Sequence, residues 1–96
     1  MEGTYPARSP ATASRVVDGE AVIIQPEKGV VNVLNAVGSF IWELSDGSRA
    51  LEDIAKAVAA EYAVSLDQAR SDAEEFVTSM VQEGMLLTWE GAQRGA

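Results

Sequence analysis

VVNVLNAVGSFIWELSDG, residues 30–47, is the stretch whose reading decides the fold. Val30, Val31, Asn32, Val33 and Leu34 set three valines and a leucine around one asparagine, the composition of a β-strand. Asn35 follows, a residue whose short side chain caps helices by accepting from an early backbone N–H. Val37, Phe40, Ile41 and Leu44 then recur at i, i+3, i+4 and i+7, one apolar stripe of a helix. Trp42 lies off that stripe, roughly opposite its centre at about 100° per residue. A helix apolar on two sides belongs between a sheet and other helices. For Trp42 two readings stand. As core, Trp42→Ala would cost about 3–5 kcal/mol and nearly unfold the domain. As a partner contact, the variant would stay folded and lose binding. Asp46-Gly47 closes the helix, Gly47 serving as the stop.

Upstream, residues 14–17 end in the β-branched pair Val16 and Val17, and Asp18-Gly19 follows, a dipeptide suited to two-residue hairpin turns. Residues 20–25 contain AVII and form a second strand. Pro26, Glu27, Lys28 and Gly29 supply the next turn. The third strand is residues 30–34, so two hairpins make a three-stranded antiparallel β-meander. Residues 1–13 hold two of the three prolines and mostly small or polar residues, and are expected to be a flexible tail.

Downstream, Leu51, Ile54, Ala55, Val58, Ala59 and Tyr62 give a second helix from about Ala50 to Tyr62. Ser65 with Gln68 three residues on forms a capping-box signature for a third helix. Its expected buried face is Leu66, Ala69, Ala73, Phe76, Val77, Met80 and Val81, and Gly84 ends it. Residues 85–89 are a short extended apolar segment and residues 90–96 a frayed end. No repeat is evident. The order, a three-stranded antiparallel meander followed by three α-helices, defines an α+β, winged-helix-like domain over residues 14–89.

Composition limits function. The 96 residues are 47% apolar and 23% charged, which suits one globular domain. No apolar run reaches the roughly 18 residues of a membrane span, and the start of the chain lacks a signal-peptide core, so a cytoplasmic location without membrane contact is the expectation. Cysteine and histidine are both absent, which removes thiolate chemistry, the usual zinc ligands and the usual neutral-pH base. Lys28 and Lys56 sit in no catalytic motif, and no phosphate-binding glycine motif occurs. The expectation is no enzyme, no catalytic residues, no metal and no cofactor. The net charge of −8 opposes binding to nucleic acid, since phosphates are neutralised by clustered Lys and Arg.

Leu34-Asn35, Val37-Gly38, Ile41-Trp42, Leu44, Asp46-Gly47, Ile54, Asp72, Phe76 and Gly84, in this order and spacing, resemble the PqqD family of peptide chaperones. The likeness spans about residues 14–87. Three positions depart from its pattern: Ala50 where a capping Thr or Ser is common, Met85 where Leu is usual, and Glu74 where an apolar residue is frequent. The resemblance implies a recognition element for ribosomally made, post-translationally modified peptides. It would hold a precursor's leader segment as an added strand on the third strand, beside the third helix, and deliver it to a modifying enzyme, often a radical SAM enzyme.

The residues make that mode available. The third strand ends the meander and carries neither Pro nor charge, the usual devices against strand addition. Asp67, Asp72, Glu74, Glu75 and Glu83 face a single Arg70 on the third helix, a balance that repels DNA and steers a peptide bearing Lys or Arg. The expected peptide-binding set is Val30, Val31, Asn32, Val33, Leu34, Asp72, Glu75, Phe76, Ser79 and Met80, with Phe76 and Met80 as apolar floor and Asp72 as the polar contact. Asn32→Pro is expected to remove a donor from the open edge. The competing reading is a winged-helix transcriptional regulator or anti-regulator. An open edge also permits a homodimer.

Overall fold

The Asp18-Gly19 turn sets the sheet. Both residues have positive φ, 52° and 81°, and they join strands paired from Val17↔Glu20 outward. In the computed structural model, which describes residues 3–90, the elements are β1 (Thr4–Arg8), β2 (Ala13–Val17), β3 (Glu20–Gln25), β4 (Val30–Val33), α1 (Ala36–Leu44), α2 (Leu51–Tyr62), α3 (Leu66–Gln82) and β5 (Leu86–Glu90). Strands β2, β3 and β4 form an antiparallel sheet in that order, followed by the three helices, the α+β arrangement expected. The residues on β3 alternate: Ala21, Ile23 and Gln25 are buried, whereas Val22 and Ile24 point to the other face.

The expectation for the start of the chain is corrected. Residues 4–8, assigned to a flexible tail, form β1, which pairs antiparallel with β5 from Thr4↔Glu90 to Arg8↔Leu86. The ribbon is tied to the body: Gly47 N–H donates to Pro6 C=O at 2.9 Å, Arg8 N–H to Ser45 C=O at 3.0 Å and Ser9 N–H to Met85 C=O at 3.0 Å. The Arg8 guanidinium donates to the carbonyls of Trp42 at 2.7 Å and Glu43 at 3.0 Å, a cation at the carbonyl end of α1. Residues 91–96, most of the expected frayed end, lie outside the described residues, while Glu90 belongs to β5.

Asn35 caps α1 as expected, its Oδ1 accepting from Gly38 N–H at 2.8 Å. The helix ends at Leu44 with Ser45 as its cap, ahead of Asp46-Gly47, which instead runs alongside β1. Trp42 is fully buried, and its indole Nε1–H donates to Ser14 Oγ at 3.1 Å, which settles it as core. It packs in one cluster with Ile23, Ile41, Ile54, Val58 and Leu86. Helix α2 starts on Ala50, which has no side chain to cap with; Asp53 Oδ2 accepts from the Ala50 N–H at 3.3 Å. Ser65 Oγ accepts from Gln68 N–H at 3.1 Å, but the Gln68 amide turns away and donates to Asp72 Oδ1 at 2.8 Å, so only half of the capping box forms. Helix α3 ends in a Schellman arrangement, with Met85 N–H on Met80 C=O at 2.8 Å and Gly84 N–H on Val81 C=O at 3.0 Å. Its buried face is Ala69, Ala73, Val77 and Met80; Leu66 and Phe76 are half-buried and Val81 is exposed, a correction to the expected stripe.

Candidate functional site

Among the described residues β4 pairs only with β3, so its other edge is open. Which backbone groups that edge presents follows from one contact. Leu34 N–H donates to Ala21 C=O at 2.9 Å. Ser39 Oγ completes the same pair as a relay, accepting from Ala21 N–H at 2.7 Å and donating to Leu34 C=O at 3.2 Å. Antiparallel ladders alternate between bonded and unbonded pairs. With the register Val22↔Val33, Ile23↔Asn32, Ile24↔Val31, Gln25↔Val30, the backbone of Leu34, Asn32 and Val30 faces β3. The N–H and C=O of Val31 and Val33 face outward. These two residues are 62% and 61% exposed. The Asn32 N–H is therefore a ladder donor, and a proline that tests the open edge belongs at Val31 or Val33. This corrects the choice of Asn32.

The end of α3 and the turn after it meet the β3–β4 hairpin. Near the start of β4, Gln25 Nε2 and Lys28 Nζ each donate to Glu83 C=O at 3.0 Å. In the middle, Asn32 Nδ2 lies 3.7 Å from Met85 Sδ. At the far end a Cβ added to Gly38 would stand 3.1 Å from Phe76 Cε1 and 3.5 Å from Leu34 Cβ. The missing side chain at Gly38 lets the Phe76 ring edge rest on the backbone of α1.

A cleft of about 490 Å³ opens there between α1 and α3. Asp72, Glu75, Phe76 and Ser79 line it from α3, four of the five α3 residues expected at the site. Asn35, Val37, Gly38 and Ile41 line it from α1. Met80 does not: it is buried at 5% exposure in the core cluster, because it falls on the same helical face as Ala73 and Val77. Its expected place in the floor is taken by Val37 and Ile41. The sequence carried their signal, since both lie on the α1 stripe, but periodicity does not tell a cleft wall from a core wall.

No basic side chain lines the cleft. Arg70 is turned to α2, where its Nε and Nη2 donate to Glu52 Oε1 and Oε2 at 2.8 and 2.6 Å. These hydrogen bonds, with the Arg70 charge, hold the Glu52 carboxyl below its ordinary pKa. Asp46 is lowered too, first by its hydrogen bonds from the Ser48 hydroxyl and backbone N–H, then by Arg49. No cluster of acids that could hold a metal occurs among the described residues, and no helix there is long and apolar enough to cross a membrane.

A three-stranded sheet whose outer strands, β2 and β4, each keep one edge unpaired among the described residues, followed by three helices of which α1 and α3 wall a cleft, defines a winged-helix-like domain. The chain belongs to the PqqD family: the model described as coenzyme PQQ synthesis protein D matches residues 20–86. Two solved structures share the fold. One, TbiB1 in complex with the TbiA(beta) leader peptide, is 31% identical with a TM-score of 0.77, over 83% of this chain and 93% of that one. The other, a lasso peptide synthetase B1 complexed with the leader peptide, is 24% identical with a TM-score of 0.78, over 86% of this chain and 98% of that one. No curated protein matches the chain.

Proposed function

We propose that this protein binds the leader segment of a ribosomally synthesised precursor peptide, without catalysis of its own, and presents it to a separate modifying enzyme. The leader adds as a strand to β4, with side chains reaching the cleft beside α3. The observation that carries this is the outward backbone of Val31 and Val33 on the unpaired edge of β4, the strand that leads directly into Asn35 and the α1 wall of the cleft. Backbone bonds supply affinity in strand addition and pockets supply specificity. The similar chain 31% identical to this one was solved with a leader peptide, which supports the same ligand class here. A radical SAM enzyme is the proposed recipient and the cytoplasm the proposed setting. A β4-to-β4 homodimer would occupy the same edge, so it would compete with the leader. Nothing favours the regulator reading, because the acids of α3 repel a phosphate backbone.

An amide-resolved NMR titration tests this. With a synthetic precursor leader peptide as titrant, shifts are expected at Val31 and Val33 and along α3 from Asp72 to Ser79. Shifts confined to α2 would remove the assignment.

A further inference from the structure

The β1–β5 ribbon has an edge of its own. Gly47 N–H donates to Pro6 C=O and Arg8 N–H to Ser45 C=O, so the backbones of Pro6 and Arg8 face away from β5. Ser9 N–H donates to Met85 C=O, one rung beyond Ala7↔Leu87. The bonded pairs of the ribbon are therefore Tyr5↔Trp89 and Ala7↔Leu87. That parity turns the N–H and C=O groups of Thr88 and Glu90 outward, and both residues are exposed. Among the described residues β5 pairs with no strand but β1. The outer face of the ribbon is apolar: Leu87 and Trp89 are 43% and 46% exposed, opposite Ala7 and Tyr5. On the inner face, Thr88 and Glu90 border a cleft of about 280 Å³. Its α3 wall is Val77, Thr78, Val81 and Gln82, none of them charged.

We propose that two copies of this chain associate through β5, antiparallel about a two-fold axis at Thr88, joining two ribbons into one four-stranded sheet. The strand Leu86–Glu90 is self-complementary in that register. Thr88 pairs with Thr88 of the second copy, Leu86 with Glu90, and Leu87 with Trp89. Outward backbone groups then meet outward backbone groups. Each exposed Leu87 meets an exposed Trp89, an apolar cross-strand pair of the stabilising kind. No like charges stand opposite each other, since Glu90 falls on Leu86. The other edges pair less well with themselves. In β2, the register that uses the whole strand sets Arg15 against Arg15, and like charges directly opposite destabilise. β4 leads into the α1–α3 cleft, which Asp72 and Glu75 line, so two copies meeting there bring acid to acid. With a net charge of −8 on each copy, contact belongs where acids are sparse, and the uncharged wall of α3 beside β5 is such a place. This dimer leaves the outward edge of β4 open. It neither competes with strand addition there nor depends on it.

Sedimentation velocity over a concentration series of the full chain tests this. A reversible monomer–dimer equilibrium is expected. Thr88→Pro removes an N–H that points away from the β1 ladder, once in each copy, and should weaken the dimer by about tenfold or more. Leu87→Lys sets a charge against Trp89 of the second copy and should act in the same direction. Val31→Pro, on the edge of β4, should leave the equilibrium unchanged. The wild-type protein gives a reading that needs no variant to fold: amide hydrogen exchange at Thr88 and Glu90 should slow as concentration rises, and that at Val31 and Val33 should not. A chain that stays monomeric at millimolar concentration would overturn the proposal. So would a dimer that Val31→Pro dissolves and Thr88→Pro leaves intact, or protection that grows with concentration at β2 or β4 alone.

Discussion

At the scale of single residues, Ser39 carries the most structure for its size. Its buried hydroxyl sits between Ala21 N–H and Leu34 C=O and so fastens α1 to the last rung of the β3–β4 ladder. Ser39→Ala would leave the Ala21 N–H buried without a partner, a loss of about 1–3 kcal/mol by urea denaturation; an unchanged midpoint would show that the relay contributes nothing. Ala63 is the converse case. It closes α2 at φ 54°, a left-handed conformation that costs a residue with a Cβ roughly 1–2 kcal/mol. It is exposed, so Ala63→Gly removes that strain without disturbing packing. A gain of about 1 kcal/mol is expected after the greater unfolded-state freedom of glycine is set against it, read as a raised thermal midpoint. Asn35 and Asp18-Gly19 were legible in the sequence because a cap and a two-residue turn are made by neighbours. The roles of Ser39 and Ala63 were not, because one depends on residues 18 and 5 positions away and the other on where α2 happens to stop.

At the scale of elements, the meander and the three helices were legible from periodicity and turn chemistry, and β1 was not. Its five residues contain Pro6, which reads as loop, and its partner β5 lies at the other end of the chain. A strand of that kind gains its hydrogen bonds only once the body between has folded. The candidate site was legible in outline for a related reason: β4 and α3 each announced themselves, but their relative placement decides which side chains meet. Val37, Gly38 and Ile41 became cleft walls, and Met80 became core, through that placement alone. Strand parity follows from the Leu34–Ala21 contact together with the register, which shows that Val31 and Val33 of β4 face outward. It makes a sharp prediction. Val31→Pro and Val33→Pro remove an outward N–H at an edge where proline is tolerated, so each should leave the circular dichroism spectrum unchanged and weaken leader binding by about tenfold or more. Asn32→Pro removes a ladder donor and should instead lower stability by about 1–3 kcal/mol. If all three variants lose binding and stability alike, the assignment of edge parity is wrong.

At the scale of the molecule, charge is distributed unevenly, and one ion pair stands where helices meet. The acids that give the net charge of −8 crowd α2 and α3, and Arg70 is the cation that joins the two helices through its paired bonds to Glu52. Those bonds lower the Glu52 pKa in the folded state, which links the helix pair to pH. The sign follows from proton counts. Between the lowered folded value and the ordinary value of 4.5, the unfolded chain binds more protons at this site than the folded one. Stability therefore rises with pH through that window, and the contribution is fully present above it. As the pH falls through the folded pKa, Glu52 is protonated in both states and the contribution disappears. Glu52→Gln keeps the shape and removes the charge, so its destabilisation should be present at neutral pH and shrink towards zero in acid. Arg70 is partly exposed, so salt should reduce the neutral-pH effect in the same way. Urea denaturation of both proteins across the acid range measures the difference. A gap of constant size would mean that Glu52 acts by packing alone, and that the α2–α3 contact is held by its apolar face without help from charge.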